Sequence, residues 1–242
     1  MMQNIQNISG ILMDYGGTID TNGVHWAEIL WREYIHARIP INKSLFREAY
    51  RFGERTLALK PVIVPEHNFY DVLTAKIELQ FQYITETGIT FDTPEKRKQI
   101  ADRCYALVRE TIAGAVPTLK ALAGKYTMVL ISNFYGNINT VLKDFGIRDY
   151  FQDVIESAVV GIRKPDPAIF ELGVKALNRS ANHIVAIGDS YTKDIIPAKA
   201  AGCHTIWLKG VEWEETSESE KADMIIRSFD ELPNLLIPNN QP

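Results

Sequence analysis

Four polar clusters in the chain carry residue types that could perform chemistry, and each comes after a predicted strand. They are Asp14, Ser132 with Asn133, Lys164, and Asp189. Two carboxylates in a setting of hard oxygens suit Mg²⁺. A lysine and a serine hydroxyl suit the non-bridging oxygens of a phosphoryl group. Because a carboxylate can also attack phosphorus directly, this set predicts phosphoryl transfer through an aspartyl-phosphate, with Mg²⁺ as the cofactor.

Each cluster taken alone also has an ordinary structural explanation. Asp14 would suit a turn, and Ser132 a capping hydroxyl. Lys164 would suit a solvated surface, and the stretch 188–190 a tight turn. Asp194 would pass as a carboxylate favoured by the dipole at a helix N-terminus. The functional hypothesis therefore depends on the fold, which must bring these distant residues together.

The predicted fold is α/β, with a doubly wound, mainly parallel sheet. Short apolar runs alternate with helical patterns, and this alternation is typical of parallel strands with right-handed crossovers. Ligands bind beyond the carboxyl ends of the strands in such sheets. The first strand stops at Asp14, where the backbone turns through Gly16 and Gly17. The predicted later strands are 126–131, 153–156, 184–187, 204–208 and an edge strand at 224–226.

A helical block follows Thr18 and is too long for an ordinary strand connection. The spacing of apolar residues predicts four amphipathic helices. Stripes at helical spacing are predicted in the third helix, at Phe69, Leu73, Ile77, Phe81 and Ile84, and in the fourth, at Ile100, Cys104, Leu107, Val108 and Thr111. Pro117 is expected to open a separate short helix. We therefore predict a catalytic α/β core formed by residues 1–20 and 113–242, and a helical cap domain formed by residues 21–112. The four cap helices are expected near 24–38, 43–59, 67–87 and 94–112.

Composition restricts the partners of the chain. Its 242 residues are 46% hydrophobic and carry a formal net charge of −4, without a basic stripe, which argues against a nucleic-acid partner. No apolar run approaches the ~20 residues needed to cross a bilayer, so no membrane partner is predicted. Cys104 and Cys203 have no metal-binding spacing and suggest free thiols in a reducing compartment. The stretch 1–7 is too polar for a signal peptide, and a cytoplasmic location is the expectation.

The clusters and their order resemble the haloacid dehalogenase (HAD) superfamily of hydrolases, over essentially the whole chain. The position of the helical block resembles the cap of that family. The motifs that carry the resemblance are Asp14-Tyr15-Gly16-Gly17-Thr18, Ser132-Asn133, Lys164-Pro165, and Gly188-Asp189-Ser190 with Asp194.

This resemblance implies a role for each matching residue. Asp14 would be the nucleophile and a Mg²⁺ ligand. The carbonyl of Gly16, the side chain of Asp189 and that of Asp194 would complete or support the metal site. Thr18 or Ser132, together with Lys164, would hold the phosphoryl oxygens of a small phosphorylated substrate. Asn133 would orient the loop that carries the lysine, and Gly161 and 165–167 match that loop.

The chain departs from the phosphatases of the family at Gly16. Those enzymes carry a second aspartate at this position, which protonates the leaving alcohol and later activates the hydrolytic water. The glycine carbonyl can still bind a metal, so only the proton-transfer group is lost. General acid–base catalysis contributes ~10²–10⁴-fold, so hydrolysis of esters with poor leaving groups should suffer most.

Three functions remain open from the sequence. The first is a Mg²⁺-dependent phosphohydrolase with weakened acid–base catalysis. The second is a carbon–phosphorus or carbon–halogen bond hydrolase, since such relatives lack this aspartate. The third is a non-catalytic protein that binds Mg²⁺ and a phosphorylated ligand. Halide cleavers usually lack the Gly188-Asp189 pair, and phosphonate cleavers use a cap lysine, for which Lys43 and Lys60 are candidates.

The cap should set specificity, because it must close over the strand ends and exclude water. Its tips near 24–26 and 62–68 are the expected places of substrate contact. His67 and Asn68 are the polar candidates there.

Overall fold

The computed structural model describes residues 7–89, 91–211, 213 and 222–237. Apart from Asn7 and Trp213, the N-terminal stretch 1–7, the acidic stretch 212–220 and the tail 239–242 lie outside the described residues. None of the helices described is both long and apolar enough to cross a membrane.

A six-stranded sheet forms the centre of the fold, and every pair of neighbouring strands in it is parallel. The strand order is β3-β2-β1-β4-β5-β6, which confirms the predicted parallel sheet. β1 lies in the middle and pairs with both β2 and β4. The strands are β1 (Gly10–Met13), β2 (Thr127–Ser132), β3 (Asp153–Glu156), β4 (Ile184–Gly188), β5 (His204–Leu208) and β6 (Met224–Ile226).

This strand order determines where the polar clusters lie. Asp14 follows β1 directly, and the neighbouring strands β2 and β4 end at Ser132 and Gly188. Because all three strands run in the same direction, their carboxyl ends meet at one edge of the sheet. The strands are also almost wholly apolar and buried, as expected for a parallel sheet covered on both faces.

Helices surround the sheet and form the block inserted after β1. That block contains α1 (Trp26–His36), α2 (Lys43–Leu59), α3 (Phe69–Glu86) and α4 (Pro94–Ala123). The remaining helices are α5 (Ile138–Asp144), α6 (Ser157–Val160), α7 (Ala168–Leu177), α8 (Ile196–Ala200) and α9 (Leu232–Leu236). A π-helical turn, Tyr191–Ile195, precedes α8.

The inserted helices pack through apolar stripes at helical spacing. All five residues of the predicted stripe on α3 are buried. On α4 the stripe follows Ile100, Cys104 and Val108, whereas Leu107 is exposed and does not belong to it. The prediction for α3 is thus confirmed, and that for α4 is correct except at its edge. The α3 stripe is Phe69, Leu73, Ile77, Phe81 and Ile84.

The prediction that Pro117 opens a separate helix is wrong. α4 is one helix of 30 residues, and Pro117 lies inside it. Proline removes one helical hydrogen bond. However, buried Ala115, Leu119 and Leu122 continue the apolar stripe past it, so packing keeps the helix continuous. The predicted boundary at 112 therefore falls within α4, and the division into core and cap domains stays a prediction.

Candidate active site

Thr18 links the ends of β1 and β4 through its hydroxyl group. The Thr18 Oγ1 donates a hydrogen bond to Asp14 Oδ2 at 2.8 Å and accepts one from the backbone N–H of Asp189 at 3.1 Å. The same oxygen lies 3.3 Å from Asp189 Oδ1. A single hydroxyl therefore sets the two aspartates side by side, although they are 175 positions apart in the sequence. They meet because β1 and β4 are neighbouring parallel strands of the sheet.

Lys164 lies between two carboxylates at the same edge of the sheet. Its ammonium nitrogen contacts Asp14 Oδ1 and lies 2.7 Å from Asp194 Oδ1. All three side chains are buried. A second oxygen of Asp194 accepts the backbone N–H of Ser190 at 3.0 Å, which fixes the orientation of that carboxylate. Lys164 therefore offers one cation to a ligand that arrives beside Asp14.

Asn133 holds the backbone of Lys164 in place. Its Oδ1 accepts the Lys164 N–H and its Nδ2 donates to the Lys164 carbonyl, both at 2.9 Å. These bonds join Asn133 to the loop that carries the lysine, and its role in orienting that loop for function stays a prediction. Ser132 is buried and lines the cavity that opens between these residues and the inserted helices.

The two glycines after Asp14 have different surroundings. Gly17 has a φ of +94°, and a Cβ atom there would fall on the Asp189 carboxylate. At Gly16, by contrast, a Cβ atom would meet no atom within 4 Å. Only Gly17 is therefore required by the backbone conformation and by close packing.

Burial and mutual repulsion shift the acidities of the site. Burial raises the pKa of Asp14 to about 6, with a further contribution from Asp194, while Lys164 acts in the opposite direction. Burial, together with Asp14 and Asp194, raises the pKa of Asp189 well above its usual value. Burial alone would lower the pKa of Lys164, but its two carboxylate neighbours outweigh burial and raise it. Lys164 therefore keeps its charge.

The donor set fits a hard divalent cation. Asp14, Asp189 and Asp194 each offer a carboxylate oxygen, and these oxygens lie within 4.8 Å of one another. Three carboxylates against the single ammonium of Lys164 leave an excess of negative charge in a buried place, and a cation would relieve it. Carboxylate oxygens are also the ligands that Mg²⁺ prefers.

A cavity of about 920 Å³ opens between this cluster and the inserted helices. His25, Trp26 and Tyr50 line it from the side of the inserted helices. The first predicted tip, 24–26, therefore contributes to the cavity. In the second tip, the carbonyl of His67 instead accepts a hydrogen bond from Asn137 Nδ2 at 2.8 Å, at the start of α5.

Sequence reasoning missed the lysine that enters this cavity. Lys76 on α3 is buried, and its Nζ lies 2.6 Å from Glu54 Oε1. The Tyr135 hydroxyl, from the loop after β2, donates to Glu54 Oε2 at 3.0 Å. Helical spacing could have revealed Lys76, because it falls on the buried stripe between Leu73 and Ile77.

Asp20 is the second residue that sequence reasoning missed. It lies in the loop after β1, is only 1% exposed and lines the cavity. Its Oδ1 accepts the Gly17 N–H at 2.6 Å, and its Oδ2 accepts the Trp26 Nε1–H at 2.8 Å.

Comparison with known proteins places the chain in a family. Residues 8–202 match the haloacid dehalogenase-like hydrolase family, so the chain belongs to this family of hydrolases. Over 95% of its length it is 28% identical to glyceraldehyde 3-phosphate phosphatase from Methanocaldococcus jannaschii, of which it covers 97%. It is 27% identical to phosphoglycolate phosphatase from Vibrio parahaemolyticus, over 68% of the chain and 75% of that relative.

A solved structure supports the fold. The crystal structure of the putative HAD-hydrolase YfnB from Bacillus subtilis bound to magnesium aligns with a TM-score of 0.61 at 19% identity. The alignment covers 96% of this chain and all of the other. The parallel sheet with inserted helices is thus the fold of this family, as the resemblance implied.

Proposed function

We propose that the protein is a Mg²⁺-dependent phosphohydrolase that acts on a small phosphorylated metabolite through an aspartyl-phosphate on Asp14. The observation that carries this proposal is the position of the Asp14 carboxylate. It lies at the end of the central strand, with Lys164 on one oxygen and Thr18 on the other. Relatives of the chain are phosphatases by name, which supports phosphate esters as the substrate class.

Asp14, the Gly16 carbonyl, Asp189 and Asp194 would hold the Mg²⁺ ion. When bound, the ion would screen the repulsion between a carboxylate and an anionic phosphate. Lys164, with Thr18 or Ser132, would bind the phosphoryl oxygens. Asn133 would keep the lysine in place through its two backbone hydrogen bonds.

The reaction would take two steps. In the first, an Asp14 oxygen forms a bond to phosphorus while the bond to the leaving oxygen breaks, and the leaving oxygen takes up a proton. In the second, water attacks the same phosphorus, loses a proton, and releases phosphate and the free Asp14 carboxylate. The proton must be supplied and removed by a group other than residue 16, which has no side chain.

The absence of a carboxylate at position 16 should slow the reaction most for substrates whose leaving group must be protonated as it departs. The phenolate of an aryl phosphate and the acetate of acetyl phosphate are stable anions that leave without protonation, whereas the alkoxide of an alkyl phosphate is not. Where no other side chain supplies the proton, we therefore expect weakened catalysis with alkyl esters, by up to the ~10²–10⁴-fold that general acid–base catalysis contributes.

The geometry gives less support to a carbon–phosphorus hydrolase that forms a Schiff base in the cap. Lys43 and Lys60 are exposed and are not among the residues that line the cavity in the described part of the chain. Lys76 lines it, and burial alone would lower its pKa, but Glu54, Tyr50 and Asp20 together raise it. An amine that stays protonated is a poor nucleophile for Schiff-base formation.

The test is a screen of phosphate esters with purified protein, in which each ester is assayed with Mg²⁺ and with a chelator. Acetyl phosphate and an aryl phosphate should be hydrolysed only with Mg²⁺, and Asp14→Asn should abolish turnover. Asp149→Asn, an exposed aspartate in the turn before β3, is the matched control and should keep it. If the wild type binds Mg²⁺ and phosphate but hydrolyses no ester, the protein is a binder and the proposal is wrong.

A further inference from the structure

Asp20 places a second carboxylate beside the position where the family's acid–base group is missing. Its Oδ1 lies 2.6 Å from the Gly17 nitrogen. The Cα of Gly16 is about 2.4 Å from that nitrogen by standard bond geometry, so the Asp20 oxygen lies within about 5 Å of the Gly16 Cα. Gly16 and Asp20 both line the cavity, so the Asp20 carboxylate and a side chain at position 16 would border the same space.

The hydrogen bonds of Asp20 leave room for proton transfer. Each of its oxygens accepts one hydrogen bond, from Gly17 N–H and from Trp26 Nε1–H. A carboxylate oxygen has two lone pairs, so each keeps one that can carry a proton or accept a hydrogen bond from a substrate or water. Trp26 lines the cavity together with Asp20.

The electrostatic surroundings suit both protonation states of Asp20 near neutral pH. Its pKa is raised to about 7, mainly by burial; the hydrogen bonds from Gly17 and Trp26 act in the opposite direction, and the charge of Asp14 acts in the same direction as burial. Lys76, across the cavity, also favours the charged form. The other ionisable groups that interact with Asp20 are Tyr15 and Asp189. A general acid and base works best with a pKa near the operating pH.

We propose that Asp20 is the catalytic acid and base of this enzyme, in place of the aspartate that the family carries at position 16. The proposal rests on the phosphohydrolase function. As Asp14 bonds to phosphorus and the ester bond breaks, protonated Asp20 gives its proton to the leaving alkoxide, which departs as the alcohol. The Asp20 carboxylate then takes a proton from the water that attacks the aspartyl-phosphate, and phosphate and Asp14 are released.

The competing explanation is that Asp20 only braces the loop after β1. Thr21 offers a matched control, because its Oγ1 donates to the Val24 carbonyl at 2.7 Å in the same loop and Thr21 is also buried. Thr21→Val removes a hydrogen bond within the loop without removing a carboxylate. A loop defect should lower activity toward every substrate equally, whereas the loss of an acid should depend on the leaving group.

The experiment compares kcat/KM for an alkyl phosphate and an aryl phosphate in wild type, Asp20→Asn and Thr21→Val, with Mg²⁺ present. Asp20→Asn should lower kcat/KM for the alkyl ester by about 10²-fold or more, and that for the aryl ester by less than about tenfold. With the aryl ester, Asp20→Asn should also release a burst of one equivalent of the phenol per enzyme, because hydrolysis of the aspartyl-phosphate lacks its base and becomes the slow step. Thr21→Val should leave the ratio of the two values unchanged.

Two further measurements keep the proposal testable if Asp20→Asn folds poorly. In the wild type, kcat/KM for the alkyl ester should fall as the pH rises through about 7, and that for the aryl ester should not. Gly16→Asp, placed where a side chain has open space, should restore alkyl-ester hydrolysis to Asp20→Asn. If Asp20→Asn changes the alkyl-to-aryl ratio by less than about tenfold, or the wild-type values share one pH profile, Asp20 is not the acid. A wild type without any Mg²⁺-dependent turnover would instead refute the phosphohydrolase function itself.

Discussion

The side-chain amide of Asn133 forms two hydrogen bonds with the backbone of Lys164, one to its N–H and one to its carbonyl. This pairing joins the loop after β2 to the loop that carries the lysine, and it leaves the ammonium group free to reach Asp14 and Asp194. The position of the ammonium group in the site therefore depends on a residue that binds the backbone of the lysine and not its side chain.

Asn133→Ala should displace Lys164 without removing its charge. Two neutral hydrogen bonds contribute about 1–3 kcal/mol together, so we expect a loss of that size in the free energy of unfolding. The value of kcat/KM should fall as well, because the lysine is no longer held beside Asp14. Urea denaturation and steady-state kinetics measure both. Asn139→Ala, which removes one exposed hydrogen bond to Arg148, is the control, and an equally small effect of both variants would contradict this role.

Lys164→Met should be more damaging to the metal-free protein than to the protein in excess Mg²⁺. Removal of one partner from a buried ion pair costs about 3–5 kcal/mol, because the remaining charges are left uncompensated. A bound cation would offset part of that cost. Thermal unfolding in a chelator and in Mg²⁺ measures the difference, with the exposed Lys193→Met as the control. Equal destabilisation of Lys164→Met in both buffers would argue against a cation site among the three aspartates.

The neighbouring glycines should respond in opposite ways to alanine. Gly17→Ala forces a side chain into the left-handed region and onto the Asp189 carboxylate, so we expect a loss of more than about 1 kcal/mol of stability and weaker Mg²⁺ binding. Gly16→Ala meets open space and should change stability by less than about 0.5 kcal/mol. Calorimetric titration with Mg²⁺ and urea denaturation separate the two. Similar behaviour of both variants would contradict the packing described for Gly17.

The free energy of unfolding of the metal-free protein should depend on pH through the titration of buried Asp20. Its folded pKa of about 7 exceeds the ordinary value of 3.8, so the folded state binds this proton more tightly than the unfolded state. The contribution of Asp20 to the free energy of unfolding should therefore fall as the pH rises from about 4 to about 7, and stay constant above that range.

Comparison of wild type with Asp20→Asn isolates this effect from all other titrations. The stability of the wild type relative to the variant should decrease across that pH window in urea denaturation with a chelator present. A relative stability that increases with pH would show that the pKa of Asp20 is lowered by folding and not raised.

Much of the fold follows from local patterns in the sequence. Apolar runs bounded by Asp14, Ser132 and Gly188 predict parallel strands, and their shared direction is enough to predict that the polar clusters meet. The helix at Pro117 shows where local rules fail. Proline predicts an interruption, but the packing of Leu119 and Leu122 in the core keeps α4 continuous.

The cavity is less predictable, because it depends on which side of a loop or helix faces inward. Helical spacing places Lys76 on the buried stripe of α3, but it does not reveal the partner that makes a buried ammonium stable, which is Glu54 on α2. Asp20 has the character of a turn residue. Its proximity to Gly16 comes from the way the loop after β1 folds back on itself, so that Gly17 donates to it.

The central claim, that Asp14 attacks phosphorus, is tested most directly by trapping the intermediate. Protein mixed with acetyl phosphate and Mg²⁺ is quenched in acid within the first turnovers, digested, and analysed by tandem mass spectrometry. The proposed function predicts a phosphoryl group on the Asp14 carboxylate, formed only with Mg²⁺ and absent from Asp14→Asn. Turnover that persists in Asp14→Asn, or a wild type that hydrolyses the ester while Asp14 stays unmodified, would contradict the claim.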